Sequence, residues 1–344
     1  MSRKLIILDR DNTINEDPGY LKDPAQVKLL PGVGEGLSLL KNFGYEFVVA
    51  TNQSGISRGY FTYQELEAVN RRIEELLRSF DVNIRGWYIC PHKDEDNCNC
   101  RKPKSGLIEE ILKKEQVLAQ NCYIIGDRVR DILAAEKFSM AGILIQSRET
   151  EDKEVAKNLI FRAMTFSEAV SFILKRDFEE HFKNKIFFSY EEEEFKSWLR
   201  EIKNSQKRIV STNGCFDILH IGHMQYLYLA AQLGDVLVVG LNSDSSVRQL
   251  KGNERPLNSF IDRAFLLAGF PFISAVVQFA EERPLNFLRK VKPDIHVKGG
   301  DYRPQDLPEK EIVESFGGRV VILPFRQGYS TTRLVEKIKA NKEA

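Results

Sequence analysis

The sequence lacks an excess of charge of either sign. It has 50 lysines and arginines against 49 aspartates and glutamates, which gives a formal net charge of +1. A protein that binds nucleic acid or an anionic membrane through its overall charge needs a basic surplus. We therefore expect neither nucleic acid nor a membrane among its partners.

Long hydrophobic runs are also missing. No apolar run approaches the roughly 20 residues that a helix needs to cross a bilayer. The apolar run in MSRKLIILDRD is short and ends in an acid, so we expect a buried strand there and no signal peptide. These absences favour a cytoplasmic protein, in which thiols stay reduced and clustered cysteines bind metals more often than they form disulfides.

At 344 residues the chain is long for one domain, and two domains are the natural expectation. Short β-rich runs that end in polar residues alternate with helical periods in both halves. This alternation is typical of a parallel sheet covered by helices, so we predict an α/β protein with two doubly wound, Rossmann-like domains. The predicted strands are 5–9, 46–51, 123–127 and 142–146 in the first half, and 208–214, 235–244, 274–280, 294–301 and 319–325 in the second.

The segment between the halves is dense in charge and contains neither glycine nor proline. Apolar residues from Phe195 to Ile202 recur at i, i+3, i+4 and i+7, the spacing of one helix face. We predict a helical connector that packs on a domain and begins with a solvated acidic turn. The predicted division is 1–175 for the first domain, 176–205 for the connector and 206–344 for the second domain.

Two aspartates, Asp9 and Asp11, end the first predicted strand, and side chains two apart on an extended segment point the same way. Two such carboxylates repel each other unless a cation lies between them or one takes a proton. A third strand end delivers Asp127, and the carboxyl ends of parallel strands are where ligand crevices form. The donors expected beside these acids are Thr51, Asn52, Gln53, Ser54, Arg101 and Lys102.

Together these groups meet the needs of phosphoryl transfer, which are a nucleophile, a hard cation on oxygen ligands, and fixed donors for the phosphoryl oxygens. The motifs LDRDNT, TNQSG, CRKP and IGD resemble, in order and spacing, those of the haloacid-dehalogenase-type phosphatases. Within that superfamily they are most similar to the D-glycero-D-manno-heptose 1,7-bisphosphate phosphatases, with histidinol phosphatases as relatives. The resemblance covers roughly residues 1–175.

This resemblance implies that Asp9 attacks phosphorus and forms an aspartyl-phosphate, while Asp11 protonates the leaving oxygen and then activates water. It implies Mg²⁺ bound by Asp9, Asp127 and the backbone carbonyl of Asp11. It also implies that Thr51 and Lys102 hold the transferring phosphoryl group. The positions that match substrate contacts are Asp17, Gly19, Tyr20, Asn52, Gln53, Ser54, Arg101 and Arg128.

Two positions near this predicted site are less typical. Asn12 stands where these phosphatases often have glycine, but asparagine tolerates unusual backbone angles better than most residues. Asp131 is a further acid, for which a charge at a helix N-terminus is an equal alternative to a role in the site.

Three of the five cysteines lie with a histidine in the stretch YICPHKDEDNCNC. Four soft ligands in the pattern C-x-H-x₅-C-x-C fit a closed tetrahedral Zn²⁺ site, although an unrelated group of buried thiols is the alternative. A closed shell leaves no position for water, so we expect a structural zinc that holds the loop running into Arg101 and Lys102. The predicted ligands are Cys90, His92, Cys98 and Cys100.

The second half carries VSTNGCFDILHIGH at its first strand. His220 and His223 flank Gly222 at a predicted helix start, where free backbone N–H groups and the helix dipole bind phosphate. Histidines there can donate to phosphate oxygens whose charge grows in the transition state. Two structural histidines are the alternative. Further predicted nucleotide contacts are Asp244, Lys251, Arg255, Lys298, Gly299 and a second helix start at Ser330, Thr331 and Thr332.

The motifs TNGCFDILHIGH, NSD, KGxxRP, VKGGD and STT resemble the HxGH nucleotidyltransferase superfamily over roughly residues 205–340. They are most similar to the adenylyltransferase domains of ADP-heptose synthases, and the glycerol-3-phosphate cytidylyltransferases are the competing family. The implied reaction is attack by a sugar 1-phosphate oxygen on the α-phosphorus of ATP, with His220 and His223 bracing the triphosphate. Lys251 and 330–332 would neutralise its β- and γ-phosphates with Mg²⁺. The residues expected to shape the pocket are Asn213, Gly214, Phe216 and Asp217.

The two implied reactions are consecutive, because removal of the 7-phosphate gives the heptose 1-phosphate that accepts AMP. We therefore expect a bifunctional enzyme that makes ADP-heptose, which is a precursor of lipopolysaccharide core. Its expected partners are sugar phosphates and ATP. Homo-oligomerisation stays open. The alternatives are a histidinol or polyol phosphatase fused to a glycerol-3-phosphate-type cytidylyltransferase, and a non-catalytic sugar-nucleotide sensor.

Overall fold

The computed structural model describes residues 3–145, 156–300 and 307–324. The predicted anion site at residues 330–332 lies outside the described residues. The chain forms two compact units, Met1–Asp177 and Phe178–Ala344, and each unit has its own six-stranded sheet. In the described ranges, no helix combines the length and the apolar character that crossing a bilayer requires.

The sheet of the first unit has parallel strands in the order β3-β2-β1-β4-β5-β6. On the inner strand β1, Ile6 and Leu8 pack into one buried cluster, while Leu5 and Ile7 pack into the cluster on the opposite face. Strands that are apolar on both faces are typical of parallel sheets covered on both sides. The strands are β1 (Lys4–Leu8), β2 (Tyr45–Asn52), β3 (Ile84–Cys90), β4 (Cys122–Gly126), β5 (Ala141–Ile145) and β6 (Leu159–Ala163).

The longest helix between two of these strands, α2, begins at a side-chain cap. In α2, the Thr62 hydroxyl accepts from the Glu65 N–H, and the Glu65 carboxylate accepts from the Thr62 N–H. This reciprocal capping satisfies two backbone donors at the helix start. The helices are α1 (Val33–Asn42), α2 (Tyr63–Arg78), α3 (Gly106–Glu115), α4 (Val129–Leu133) and α5 (Phe166–Lys183).

The sheet of the second unit is also parallel, in the order β12-β11-β8-β9-β10-β7. Buried clusters cover both of its faces. The strands are β7 (Ile186–Phe187), β8 (Ile209–Gly214), β9 (Val236–Asn242), β10 (Ala275–Phe279), β11 (Ile295–Gly299) and β12 (Arg319–Leu323). The helices are α6 (Glu193–Asn204), α7 (Ile221–Ala231), α8 (Asp244–Lys251), α9 (Phe260–Ala268), α10 (Leu285–Val291) and α11 (Glu309–Ser315).

The charged segment 176–205 contributes to the second unit. Its short strand β7 pairs with β10 in parallel, and its helix α6 buries Phe195 and Leu199. The prediction of two parallel α/β sheets is confirmed. The structure adds three strands that were not predicted, namely β3, β6 and β7. The domain boundaries at 175/176 and 205/206 stay predictions.

Candidate active sites

Three neighbouring strands of the first sheet bring the predicted residues together. In the order β2-β1-β4, Thr51 lies at the end of β2, Asp9 follows β1, and Asp127 follows β4. The Asp9 N–H donates to the Ile125 carbonyl at 2.8 Å, which extends the pairing of β1 and β4 to the catalytic candidate. The parallel sheet therefore converts three distant sequence motifs into one site at its carboxyl edge.

A buried carboxylate cluster lies at this edge. One oxygen from each of Asp9, Asp127 and Asp131 lies within 4.8 Å of the others, and all three residues are buried. The Lys102 ammonium is 2.5 Å from Asp9 Oδ1 and 2.7 Å from Asp131 Oδ1. Gly126 permits this packing, because a Cβ at that position would lie 2.5 Å from the Cβ of Asp131.

Burial controls the titration of the cluster. It raises the pKa of Asp9 to about 7, opposed by Lys102 and reinforced by Asp131 and Asp127. Burial also raises the pKa of Asp127 to about 6, with Asp131 adding to the effect. For Lys102, burial alone would lower the pKa, but Asp131 and Asp9 outweigh it and raise the pKa. Three acids around one ammonium leave a surplus of hard oxygen donors, which is the donor set that Mg²⁺ prefers.

Asp11 is held by a separate network. Arg10, which is 1% exposed, donates from Nε to Asp11 Oδ1 at 2.8 Å and from Nη2 to Oδ2 at 3.0 Å. Gln53 donates to Asp11 Oδ2 at 2.8 Å and to Thr51 Oγ1 at 2.9 Å. The neighbouring Asn12 adopts φ of 55°, the left-handed conformation that asparagine tolerates. The Asp11 carboxylate is therefore fixed in orientation beside Asp9.

The carboxylate cluster, Lys102 and Asp11 all line one cavity of about 280 Å³. Every residue predicted for the first active site lines it, and so does Asp131. Two arginines, Arg58 and Arg130, line it as well and were not predicted. The predicted lining residues are Asp9, Asp11, Asp17, Gly19, Tyr20, Thr51, Asn52, Gln53, Ser54, Arg101, Lys102, Asp127 and Arg128.

Asn52 and Arg101 have protein partners that the motifs did not indicate. The Asn52 side chain donates to the Lys102 carbonyl and accepts from the Lys102 N–H, both at 3.0 Å. Arg101 forms a two-point contact with Asp94, at 2.6 and 3.1 Å, and donates to the His92 carbonyl at 3.1 Å. Asn52 thus positions Lys102, and Arg101 ties the cavity wall to the preceding loop.

That loop contains the predicted metal ligands in one cluster. The three sulfurs lie 3.3 to 3.7 Å apart, and His92 Nδ1 is 3.3 Å from Cys100 Sγ and 3.7 Å from Cys90 Sγ. A tetrahedral zinc with Zn–S bonds of about 2.3 Å places its ligand atoms roughly 3.5–3.8 Å apart. The donor set and spacing fit zinc. The ligand cluster consists of Cys90, His92, Cys98 and Cys100.

The second site forms at the carboxyl edge of the second sheet. Strand β8 ends in Asn213 and Gly214, and helix α7 begins directly after His220, which is its N-cap. The rings of His220 and His223 stack with their centroids 3.8 Å apart. A cavity of about 230 Å³ lies beside them. It is lined by Asn213, Gly214, Cys215, Phe216, Asp217, His223, Tyr226, Lys251, Lys298 and Gly299.

Of the predicted residues that the structure describes, three do not line the cavity. His220 lies behind His223, on which it stacks. Asp244 accepts from the fully buried Arg263 at 2.6 Å, and Arg255 donates to Asp217 at 2.7 Å. Asp244 and Arg255 are therefore engaged in ion pairs that fix the loops around the cavity.

Asp217 combines a place in the cavity wall with a structural role. Its carboxylate accepts from Arg255 and from the N–H groups of Leu257 and Asn258. Burial alone would raise the pKa of Asp217, but the Asn258 N–H and the Arg255 guanidinium outweigh it and lower the pKa. The negative charge of Asp217 is thereby balanced by Arg255.

Burial favours the neutral form of both imidazoles in the second site. Burial lowers the pKa of His223 to about 4, and His220 and Lys251 add to that effect. Burial also lowers the pKa of His220. A neutral imidazole donates one N–H, so the cavity offers a hydrogen-bond donor from His223 and two ammonium groups, Lys251 and Lys298, to an anionic ligand.

Family models match both halves of the chain. A cytidylyltransferase-like family matches residues 211–337, and a HAD-hydrolase-like family matches residues 99–168. The chain joins a haloacid-dehalogenase-like half to a nucleotidyltransferase-like half. Both resemblances inferred from the motifs are confirmed.

Curated relatives match parts of the chain. The bifunctional protein HldE of Campylobacter jejuni subsp. jejuni serotype O:2 is 47% identical over 242 residues, which cover 69% of this chain and 49% of the relative. The HldE of Geotalea uraniireducens is 53% identical over 137 residues, which cover 40% of this chain and 28% of the relative. The chain thus spans about half the length, or less, of these relatives.

Solved structures are similar to parts of the chain, and one of them covers half of it. It is the D,D-heptose 1,7-bisphosphate phosphatase from B. bronchiseptica, complexed with magnesium and phosphate. It is 30% identical, covers 50% of this chain and 99% of its own, and has a TM-score of 0.48. The roles of individual site residues in this chain stay predictions.

Proposed function

We propose that the chain is a bifunctional enzyme of ADP-heptose biosynthesis. The first half removes the 7-phosphate of D-glycero-D-manno-heptose 1,7-bisphosphate, and the second half transfers AMP from ATP to the resulting heptose 1-phosphate. One observation carries the proposal: among the described residues, one cavity is built on buried carboxylates and a lysine, and another on His223 and two lysines, with His220 stacked on His223. The similarity to bifunctional relatives supports two activities in one chain.

In the first reaction an Asp9 oxygen attacks phosphorus, the bond from phosphorus to the sugar oxygen breaks, and Asp11 gives its proton to that oxygen. Asp11 then takes a proton from water, which hydrolyses the aspartyl-phosphate and frees Asp9. Lys102 and Thr51 bind the phosphoryl oxygens. When bound by Asp9, Asp127 and the Asp11 carbonyl, Mg²⁺ supplies positive charge that the phosphoryl oxygens need.

The zinc cluster has a supporting role in this proposal. Bound at Cys90, His92, Cys98 and Cys100, Zn²⁺ supplies a cross-link within the loop. Arg101 and Lys102 follow directly, so the folded loop presents both to the substrate. Asn52 fixes the backbone of Lys102 from the opposite side.

In the second reaction a phosphate oxygen of heptose 1-phosphate attacks the α-phosphorus of ATP, and the bond to the pyrophosphate oxygen breaks. No covalent intermediate with the protein is required, because positioning and charge stabilisation suffice. His223 and Lys251 donate to the phosphates, and His220 supports His223 by stacking. Asn213, Gly214 and Phe216 shape the pocket, and Ser330–Thr332 are proposed as a further phosphate contact.

The decisive experiment supplies heptose 1,7-bisphosphate and MgATP together and measures inorganic phosphate and pyrophosphate separately. We expect phosphate first and pyrophosphate only after it, since the second step needs the first product. Parallel assays with histidinol phosphate and with CTP test the alternative fusion. Release of neither product in a single turnover would favour the sugar-nucleotide sensor. We propose that the enzyme acts in the cytoplasm on small molecules, without a nucleic acid or membrane partner.

A further inference from the structure

An ion pair with one buried partner lies at the wall of the second cavity. The Lys298 ammonium is 2.8 Å from Glu309 Oε1 and 2.8 Å from Asn213 Oδ1. Lys298 and Asn213 line the cavity, whereas Glu309 does not. Glu309 is only 5% exposed, which is unusual for a carboxylate.

Packing fixes both partners of the pair. Glu309 is the first residue of α11, which buries Val313 completely in one of the two core clusters of this unit. Strand β11 pairs with β8 so that His296 is opposite Ser211, and Lys298 follows two residues later beside Asn213. The helix and the two strands therefore determine where the ammonium lies.

The pair is not arranged for maximal stability. Glu309 Oε2 is buried and has no hydrogen-bond partner among the described residues. A buried carboxylate with an unmatched oxygen costs free energy that an apolar side chain of similar size avoids. The pair is therefore explained better by its effect on the position of the Lys298 ammonium than by a contribution to the stability of the fold.

We propose that Glu309 is a positioning residue that holds the Lys298 ammonium against Asn213 at the nucleotide pocket. An ammonium has three N–H donors. Among the described residues Glu309 and Asn213 occupy two of them, and the third serves a phosphate oxygen of the bound nucleotide. Anchoring the flexible lysine before the ligand arrives removes part of the entropic cost of binding. The inference rests on the proposed nucleotidyl transfer and extends it to a residue outside the cavity.

The test compares Glu309→Ala with Lys298→Ala and with the double variant, by steady-state pyrophosphate formation and by calorimetric titration with MgATP. Glu314→Ala is the matched control, because Glu314 lies on the same helix but is exposed and, among the described residues, pairs with Lys310 at 3.8 Å. Phosphate release by the first active site serves as an internal control for the concentration of folded protein.

We expect Glu309→Ala to lower kcat/KM for MgATP about tenfold, mainly through KM, and Glu314→Ala to leave it unchanged. With Lys298 already replaced by alanine, removal of Glu309 should cost less than about twofold more, since a residue that acts through another is not additive with it. Glu309→Gln, whose amide oxygen still accepts from Lys298, should lose less than Glu309→Ala.

Equal kcat/KM values for Glu309→Ala and Glu314→Ala would overturn the proposal, and so would a full tenfold loss from Glu309→Ala in the Lys298→Ala protein. If Glu309→Ala does not fold, the same cycle is run with Glu309→Gln, and full additivity again overturns it. Wild-type protein that binds MgATP but forms no pyrophosphate would refute the proposed function. The calorimetric titration with MgATP would still show whether Glu309 contributes to nucleotide binding through Lys298.

Discussion

The two cavities occupy equivalent places in two parallel sheets, and their volumes are similar, about 280 and 230 Å³. Their chemistry differs. The first gathers three buried carboxylates around one lysine, whereas the second combines one histidine, His223, with two lysines. The same edge of the same architecture therefore carries a cluster of carboxylates in one unit and a group of hydrogen-bond donors in the other.

Burial favours the neutral form of a titratable group in both sites. It raises the pKa of Asp9 to about 7 and lowers the pKa of His223 to about 4, so each group is driven toward its neutral form. In the proposed function, Mg²⁺ bound beside Asp9 would favour its anionic form, whereas His223 would donate to phosphate as a neutral group. The difference teaches that the same burial calls for a cation at the first proposed site and for none at the imidazole of the second.

The largest expected effect comes from removing the nucleophile. Asp9→Asn should lower phosphate release by more than about 1000-fold, because an amide does not attack phosphorus. Pyrophosphate formation from supplied heptose 1-phosphate should not change. Asp81→Asn is the matched control, since Asp81 is exposed and lies in the same unit. Phosphate release that survives in Asp9→Asn would show that another group attacks.

The reciprocal variant tests the second site. His223→Ala should lower pyrophosphate formation about 100-fold or more, because it removes a donor to the charge that develops on the phosphates. Phosphate release should be unaffected. The exposed His181 of the same unit provides the control variant His181→Ala. Loss of both activities in His223→Ala would contradict two independent sites.

Loss of zinc should have a smaller effect, and on binding more than on chemistry. Cys98→Ala should reduce bound zinc, lower the melting temperature and raise KM for the bisphosphate about tenfold, with kcat changed less. Cys122→Ala, which removes a cysteine outside the cluster, should keep its zinc. A loss confined to kcat, with KM and melting unchanged, would contradict a structural role for the metal.

The smallest expected effect concerns pH and stability in the second unit. Burial lowers the pKa of His296 from 6.5 to about 3, with Lys298 adding to the effect and Ser211 opposing it. As the pH falls from about 6.5 toward 3, His296 takes up a proton in the unfolded chain but not in the folded one. The free energy of unfolding is therefore highest above pH 6.5 and decreases as the pH falls below that value. Between pH 5 and 6 the slope should be about 1 kcal/mol per pH unit.

The measurement is denaturant unfolding in a Trp87→Phe protein, in which Trp198 reports the second unit. His296→Gln should remove that contribution to the slope, and His181→Gln should not. An unchanged slope in His296→Gln would show that other groups account for the acid sensitivity.

Local motifs predicted which residues meet at the first cavity, because these residues follow strand ends in a regular order. They predicted the second site less completely. Asp244 and Arg255 stand in recognisable motifs, yet partners 19 and 38 residues away, Arg263 and Asp217, engage them. Sequence spacing indicates which polar groups reach the edge of a sheet, but long-range ion pairs decide which of them face the cavity. Arg58 and Arg130 enter the first cavity without any motif of their own.

The missed strands have physical reasons too. Strand β3 contains Gly86 and partly exposed positions, which weaken its apolar pattern. Strand β6 alternates between buried or half-buried and exposed residues around Arg162. Strand β7 has only two residues inside a charged segment, and nothing in so short a run distinguishes it from a loop.

The position of β7 has a practical consequence for anyone who dissects this protein. It occupies the end of the second sheet and covers β10, whose Val276 and Val277 it pairs with. A fragment that starts at residue 206 would leave β10 as an exposed apolar edge strand, which could pair with another copy and aggregate. Expression of the second unit on its own should therefore start near residue 178, so that the fragment carries its own protective strand.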